Sequence, residues 1–459
     1  MYEETTIAAI ATSPGEGGIG IIRISGIDAC CIADKIFQAR GGKFAESTPY
    51  LMRFGHVVRG DKTIVDEGLA VFMKAPHSYT GEDVVEIQIH GSMEALRQTL
   101  ALVLENGAVP AARGEFTKRA FLNGRLDLTQ AEAVMDVIEA KGAAALSQAE
   151  SHLSGKLSSF VHTCRDELTD LITKLEVTID YPEEDLEDLT NEQMEEGLVT
   201  IQKSLADLLQ RSEEGRIIKD GLRTAIVGRP NAGKSSLLNA LLQEDRAIVT
   251  DIPGTTRDTI EESIKIGGVP LVLMDTAGLR ETDNRVEQIG IERARASMEK
   301  ADLILAVIDG SQPLPYWAER RMQGMFPESS LTSSISVSCG RSYLLRMTMA
   351  FLPLSEERRF LSSGVSGMDD LKEELRKITG HQDADAGREL FLTNLRHVDL
   401  VKKSLASVER ALESVRNGMP ADCIVVDLTE AWTQMGAITG DTVDDELING
   451  IFERFCVGK

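Results

Sequence analysis

Eight residues, Gly228-Arg229-Pro230-Asn231-Ala232-Gly233-Lys234-Ser235, carry the spacing G-x-x-x-x-G-K-[ST] between the apolar run Leu222 to Val227 and the helix-forming run Ser236 to Leu242. Strand, glycine-rich turn and helix in that order form a phosphate-binding loop. The glycines let backbone N–H groups turn toward phosphate oxygens, and the start of the helix adds positive potential. Lys234 reaches the β and γ oxygens, and the Ser235 hydroxyl is placed to ligate Mg²⁺.

Two later segments select among nucleotides. Asp275-Thr276-Ala277-Gly278 follows the apolar strand Leu271 to Met274, which puts Asp275 at a strand end where it can organise the Mg²⁺ shell while the Gly278 N–H meets the γ-phosphate. Between them lies Gly254-Thr255-Thr256-Arg257-Asp258, with Thr256 as the second Mg²⁺ hydroxyl. Three elements in this order predict a GTPase of the translation-factor class. The residue after Gly278 is Leu279, where Ras-type proteins use Gln to orient water. An apolar side chain cannot do that, so catalytic help must come from elsewhere.

The surrounding chain must position these residues. Residues 1–122 alternate β-like runs (17–24, 68–73, 84–89) with glycine-rich turns, predicting a small α/β domain. From Leu126 to Asp180 the pattern becomes helical, with Leu128, Ala131, Val134, Val137 and Ile138 on one face. Ten acids and no base lie between Glu176 and Glu196, which reads as a solvated helix end or loop. A second helical stretch, 192–215, leads to the phosphate-binding segment, whose order of strands and helices predicts a sheet wrapped by helices. Helical periodicity returns after Gly380, with Leu428, Trp432, Met435 and Ile438 on one face. The fold class is therefore multidomain α/β plus all-α: an N-terminal α/β domain (1–122), a helical domain in two halves (123–219 and 380–459), and an α/β domain (220–379) inserted between them.

Composition narrows the partners. Of 459 residues, 49 are Lys or Arg and 73 are Asp or Glu, a formal charge of −24 that argues against a broad basic surface for nucleic acid. Six cysteines without a C-x-x-C pair predict reduced thiols and a cytoplasmic protein. No run of about 18 apolar residues predicts a membrane span, and the acidic start Met1-Tyr2-Glu3-Glu4 does not resemble a signal peptide.

With these residues assembled, the chain resembles the MnmE (TrmE) tRNA-modification GTPases of the TrmE-Era-EngA-like superfamily, over nearly its whole length. Besides the nucleotide motifs, the resemblance rests on Thr12 to Gly26, Tyr79-Thr80-Gly81-Glu82-Asp83, Arg113-Gly114-Glu115-Phe116-Thr117, Ala120 to Leu128 and the terminus Phe455-Cys456-Val457-Gly458-Lys459. It implies a Ras-like G domain, a folate-binding-like N-terminal domain and a homodimer. It also implies GTP hydrolysis coupled to 5-aminomethyl or 5-carboxymethylaminomethyl modification of the wobble uridine of tRNA, in a heterotetramer with the FAD protein MnmG. In place of an arginine finger the family uses K⁺, for which Asn231, Thr250, the Ile252 carbonyl and Thr255 match the ligands. Oxygen ligands holding a cation against the transferring phosphoryl group neutralise developing charge. Thr250 and Thr255 thereby join the GTP site, and Glu287 matches the glutamate that positions the attacking water. Arg257 and Arg280 are further switch candidates. A reduced folate, 5-formyl- or 5,10-methylene-tetrahydrofolate, is implied as one-carbon donor, with Arg23, Glu86, Arg125 and Lys459 at the matching contacts and Cys456 nearby. A carboxylate such as Glu86 can read a pterin edge, and Arg and Lys suit glutamyl carboxylates.

One stretch departs from the pattern. The chain holds 31 Asp, 9 Asn and 18 Lys, yet Ser311 to Met368 contains none of them; at the density of the rest of the chain about eight would fall there. The Asn/Thr-Lys-x-Asp loop that reads guanine belongs in this interval and is absent. The strand expected to carry it is also missing, and Ser362 to Gly367 is a damaged form of the second guanine loop. Length survives while composition and motif do not, which reads as compensating frame changes across codons 310 to 368. Genuine divergence is the alternative, and it would lower guanine selectivity. Two other functions remain open: an Era/Der-type ribosome-assembly GTPase, which would leave the N-terminal domain and Cys456-Val457-Gly458-Lys459 unexplained, and a nucleotide-incompetent folate-binding scaffold.

Overall fold

The computed structural model describes residues 5–180, 191–228, 234–244, 262–266, 269–274, 301–309, 334–338, 344–351, 371, 373, 375 and 390–459. The chain begins with β1 (Ile7–Ile10), β2 (Gly17–Ser25), α1 (Ala29–Ile36), β3 (Phe37–Ala39), β4 (Arg53–Val58), β5 (Ile64–Met73), β6 (Val84–Gly91), α2 (Met93–Glu105), β7 (Val109–Pro110) and α3 (Glu115–Leu122). The strands form one sheet in the order β3-β4-β5-β6-β2-β1-β7. Every pairing is antiparallel except β1 with β7. Alternation explains its two faces. Ile22, Ile24, Ile87 and Ile89 bury one face under Ile32 and Ile36 of α1 and Leu96 and Val103 of α2, while Arg23 and Glu86, directly paired across β2 and β6, belong to the other.

Arg119 of α3 is 1% exposed. It donates to Glu82 (3.1 Å), to Glu115 (2.9 Å) and to the Thr5 carbonyl (2.8 Å). Glu82 also accepts from the Ser25 hydroxyl at 2.7 Å. This network ties α3 to the sheet, and a buried guanidinium is tolerated only where it is so matched.

The helical stretch that follows is three helices, α4 (Leu128–Glu139), α5 (Ala143–Leu153) and α6 (Lys156–Asp180), succeeded by α7 (Asn191–Gln210) and α8 (Ser212–Asp220). The expected apolar face of α4 is corrected. Leu128, Ala131 and Met135 are buried, whereas Val134 and Val137 are half-buried and Ile138 is exposed. Positions i, i+3 and i+7 form a narrower stripe than the run of apolar residues suggests. Glu176, Asp180, Glu192 and Glu196 are exposed, as expected of a solvated acidic run.

A second sheet is built from β8 (Leu222–Gly228), followed by α9 (Lys234–Glu244), and from β9 (Glu262–Ile266), β10 (Val269–Met274), β11 (Leu303–Asp309), β12 (Ser334–Ser338) and β13 (Leu344–Phe351). Its order is β12-β13-β11-β8-β10-β9. β8 is parallel to both β10 and β11, β9 is antiparallel to β10, and β12 and β13 form an antiparallel pair against β11. The interval 311–368, in which the strand expected to carry the guanine-reading loop is missing, instead contributes the antiparallel pair β12 and β13. Leu344-Leu345-Arg346-Met347-Thr348-Met349-Ala350-Phe351 is apolar and free of turn formers, and such a run pairs readily with an open sheet edge. Leu237, Leu238 and Leu241 of α9 pack on Leu222, Leu271, Leu273, Leu303 and Leu305.

The chain closes with α10 (Leu395–Arg416), α11 (Ala421–Thr439) and α12 (Asp445–Phe452). Leu428, Met435 and Ile438 of α11 are buried, with Trp432 half-buried beside them. Its indole N–H donates to Thr169 of α6 at 3.0 Å, and Arg165 stacks on its ring at 4.1 Å. Two compact units result: Met1–Met135 with His152–Met194 and Arg410–Lys459, and Asp136–Ser151 with Glu195–Glu409. No helix among the described residues is long and apolar enough to cross a membrane.

Candidate functional site

The last residues of the chain return to the first sheet. Ile448 and Phe452 of α12, with Phe455, pack on Leu128, Ala131 and Met135 of α4. From there Val457 pairs antiparallel with Arg113, and the Gly114 N–H donates to the Cys456 carbonyl at 3.3 Å. Gly458 has a φ of +93°, and a Cβ there would lie 2.4 Å from the Ile10 carbonyl oxygen. Only glycine combines that backbone with that approach. Its own carbonyl accepts from Arg23 Nη1 at 3.3 Å.

Arg23 is the centre of a charged and aromatic cluster. Its Nε donates to Glu86 Oε1 at 2.8 Å, and its guanidinium lies over the rings of Tyr79 (5.3 Å) and Phe116 (5.5 Å). The guanidinium of Arg125 also lies over Tyr79, at 5.2 Å, and its Nη1 donates to the Tyr79 carbonyl. Burial holds the Lys459 ammonium below the ordinary lysine range, and the nearby Arg23 charge pushes the same way against Glu86 and Cys456. Three cations, one carboxylate and two aromatic faces suit a flat heterocycle bearing an anionic tail.

The structure therefore brings together Arg23, Glu86, Arg125 and Lys459, which come from β2, β6, the turn after α3 and the chain terminus. Cys456 is an exposed free thiol on the same tail. The residue-by-residue reading missed Tyr79 and Phe116. Both stand in segments that carry the family resemblance, but only the packing shows that they lie beneath the cations. Thr117, whose hydroxyl is 2.9 Å from the Tyr79 hydroxyl, is a third.

The second site lies on the other sheet. β8 lies between β10 and β11, and the chain passes from β10 on one side of it to β11 on the other, so the carboxyl end of β8 is a topological switch point, where open α/β sheets bind ligands. Lys234 begins α9 there, with Ser235 and Ser236 exposed in the first turn. Burial lowers the Lys234 ammonium below its usual range. Asp275 follows directly on Met274, the last residue of β10. The parallel pairing sets the carboxyl ends of β8 and β10 on one edge. Asn231, Ala232, Gly233, Thr250, Ile252, Thr255, Thr256, Arg257, Asp275, Thr276, Ala277, Gly278, Arg280 and Glu287 lie outside the described residues.

Comparison with known proteins covers both sites. A family model described as the MnmE helical domain matches residues 128–456, and one described as the GTP-binding protein TrmE N-terminus matches residues 6–125. The chain is 42% identical to the tRNA modification GTPase MnmE of Alkaliphilus metalliredigens and 42% identical to that of Clostridioides difficile, in both cases over 100% of each chain. It is 43% identical to the protein of the same name from Heliobacterium modesticaldum, over 99% of each.

Proposed function

The chain belongs to the MnmE family of tRNA modification GTPases, and from that premise we propose that it is a K⁺-dependent GTP hydrolase that works with the FAD-dependent partner MnmG. Together they would install the 5-aminomethyl or 5-carboxymethylaminomethyl group on wobble uridine 34 of certain tRNAs, drawing the carbon from a reduced folate. The observation that carries the reading is the phosphate-binding sequence at the carboxyl end of β8, the switch point of the mixed sheet, in a chain matched end to end by MnmE relatives.

In this reading residues 220–379 are an inserted Ras-like G domain, residues 123–219 and 380–459 the two halves of the helical domain, and residues 1–122 the dimerisation and folate domain. Lys234 and the backbone of Asn231 to Ser236 hold the phosphates. Ser235 and Thr256 offer hydroxyls to Mg²⁺, while Asp275 to Gly278 face the γ-phosphate. Asn231, Thr250, Ile252 and Thr255 offer oxygens to K⁺, which supplies the positive charge that the transferring phosphoryl group requires. Glu287 orients the water that Leu279 cannot, and Arg257 and Arg280 act in the switch loops. Two G domains facing each other in a homodimer complete this arrangement. Arg23, Arg125 and Lys459 hold the folate carboxylates and Glu86 reads the pterin edge.

GTP turnover by the full chain in K⁺ and in Na⁺, with and without 5-formyltetrahydrofolate, tests the proposal. Turnover that is strong in K⁺ and weak in Na⁺ is expected. Equal turnover in the two salts would favour an assembly-type GTPase. A second reading, a scaffold that binds folate but turns over no GTP, is favoured by the missing guanine-reading loop in 311–368, and an absence of turnover in either salt would establish it.

A further inference from the structure

Tyr79 is not among the residues that hold the ligand in the proposed function, yet both arginines of the cluster lie over its ring, Arg23 at 5.3 Å and Arg125 at 5.2 Å. We infer that Tyr79 is a positioning residue that holds these two guanidinium groups at the spacing an anionic ligand needs. The inference rests on the folate reading of the cluster.

The two cations reach the ring from unrelated parts of the fold. Arg23 stands on β2, fixed by Glu86 and the Gly458 carbonyl. Arg125 stands in the turn that follows α3 and is exposed, anchored to the Tyr79 carbonyl. Like charges brought to one place repel, and the negative face of an aromatic ring offsets that repulsion while fixing where each planar group lies. The ring itself is held from two directions. Its hydroxyl meets the Thr117 hydroxyl at 2.9 Å, and its body packs on the buried cluster of Ile7, Ala9, Ala111 and Phe116. Tyr79 is thus a rigid spacer between a strand-borne cation and a loop-borne one. A long, exposed arginine left without the ring would lose orientation to side-chain entropy.

The test is calorimetric titration of the full chain with 5-formyltetrahydrofolate. Tyr79→Leu keeps the apolar contacts and removes the π face, so its Kd should rise about tenfold, in line with two cation–π contacts of modest strength. Tyr79→Phe keeps the face and loses only the hydroxyl, and should stay within about twofold of wild type. In an Arg125→Ala background the cost of Tyr79→Leu should shrink to about threefold, because one of the two groups it positions is gone. Wild-type affinity in Tyr79→Leu, or an undiminished tenfold cost in the Arg125→Ala background, overturns the inference while leaving the folate reading intact. Failure of the wild-type chain to bind the folate overturns both. Thermal unfolding of each variant, expected within a few degrees of wild type, shows that the loss is not one of folding.

Discussion

An ammonium group drawn out of water beside a guanidinium keeps its proton less firmly than one in solvent, and Lys459 is in that position. Two opposite pH effects follow. Between the lowered value and the ordinary 10.5 the unfolded chain binds the extra proton and the folded chain does not, so folding stability rises with pH across that window. Below it the cost of burying the charge is fully present. Affinity for a carboxylate ligand should move the other way, falling over the same window as the ammonium is lost. Chemical denaturation and folate titration over a pH series up to 10.5 measure the two slopes, and Lys459→Met should flatten both. Parallel slopes would refute the assignment. The cysteines show a different side of the residue scale. Burial pushes the Cys30 and Cys164 thiols up to about 12, while Cys31, Cys423 and Cys456 are exposed. Composition treats all of these thiols alike, and packing alone separates inert from accessible ones.

Among elements, the terminal tail is the clearest case of local sequence acting through tertiary contact. It docks by one backbone bridge to Arg113, one N–H from Gly114 and the bond from Arg23 to Gly458. Each is worth about 0.5–1.5 kcal/mol net. Gly458→Ala would add a left-handed penalty of about 1–2 kcal/mol and press a Cβ to 2.4 Å from the Ile10 carbonyl. The tail should therefore leave the sheet. Folate affinity should drop toward that of Lys459→Ala, while the melting temperature falls by only about 3 °C or less, because Phe452 and Phe455 still anchor the preceding residues. Retained affinity in Gly458→Ala would show that the glycine does not place Lys459. Elements also show how far periodicity reaches. It marks α4 as a helix but misplaces its buried face, since Ile138 satisfies the apolar pattern and still faces solvent.

At the scale of the whole molecule, the acidity and the anomalous stretch belong to different parts. Residues 311–368 hold six Arg and four Glu, so the charge of −24 comes entirely from the remainder of the chain. That remainder would repel tRNA spread over a wide surface, which favours local contacts shared with a partner. In the second sheet, β11 carries an antiparallel pair, β12 and β13, on its open edge. The buried carboxylate that a guanine-reading loop supplies is missing from that sequence. GTP should therefore be preferred over ATP by less than about tenfold, where an intact reader rejects the wrong base far more strongly. Competition binding of the two nucleotides to the full chain decides this, and strong GTP preference would place guanine recognition elsewhere. Resequencing codons 310 to 368 separates compensating frame changes from divergence.

Two kinds of information are divided here by how far apart the responsible residues stand in the chain. The strand and helix that flank the phosphate-binding motif, Leu222–Gly228 and Lys234–Glu244, are legible from sequence because the apolar runs and the motif's glycines, Lys234 and Ser235 are all local signals. The strands at 17–25, 64–73 and 84–91 were legible in outline for the same reason, since alternation is a local signal. The resemblance also supplied Arg23, Glu86, Arg125 and Lys459 as separate positions. Their meeting requires the chain to fold so that Arg23 and Gly458, 435 positions apart, come into contact. Only tertiary structure decided that Tyr79 and Phe116 lie beneath the cations and that the terminal glycine fits against Ile10. Cation–π contact, desolvation of Lys459 and a 2.4 Å approach are properties of assembled surfaces, and no local periodicity encodes them.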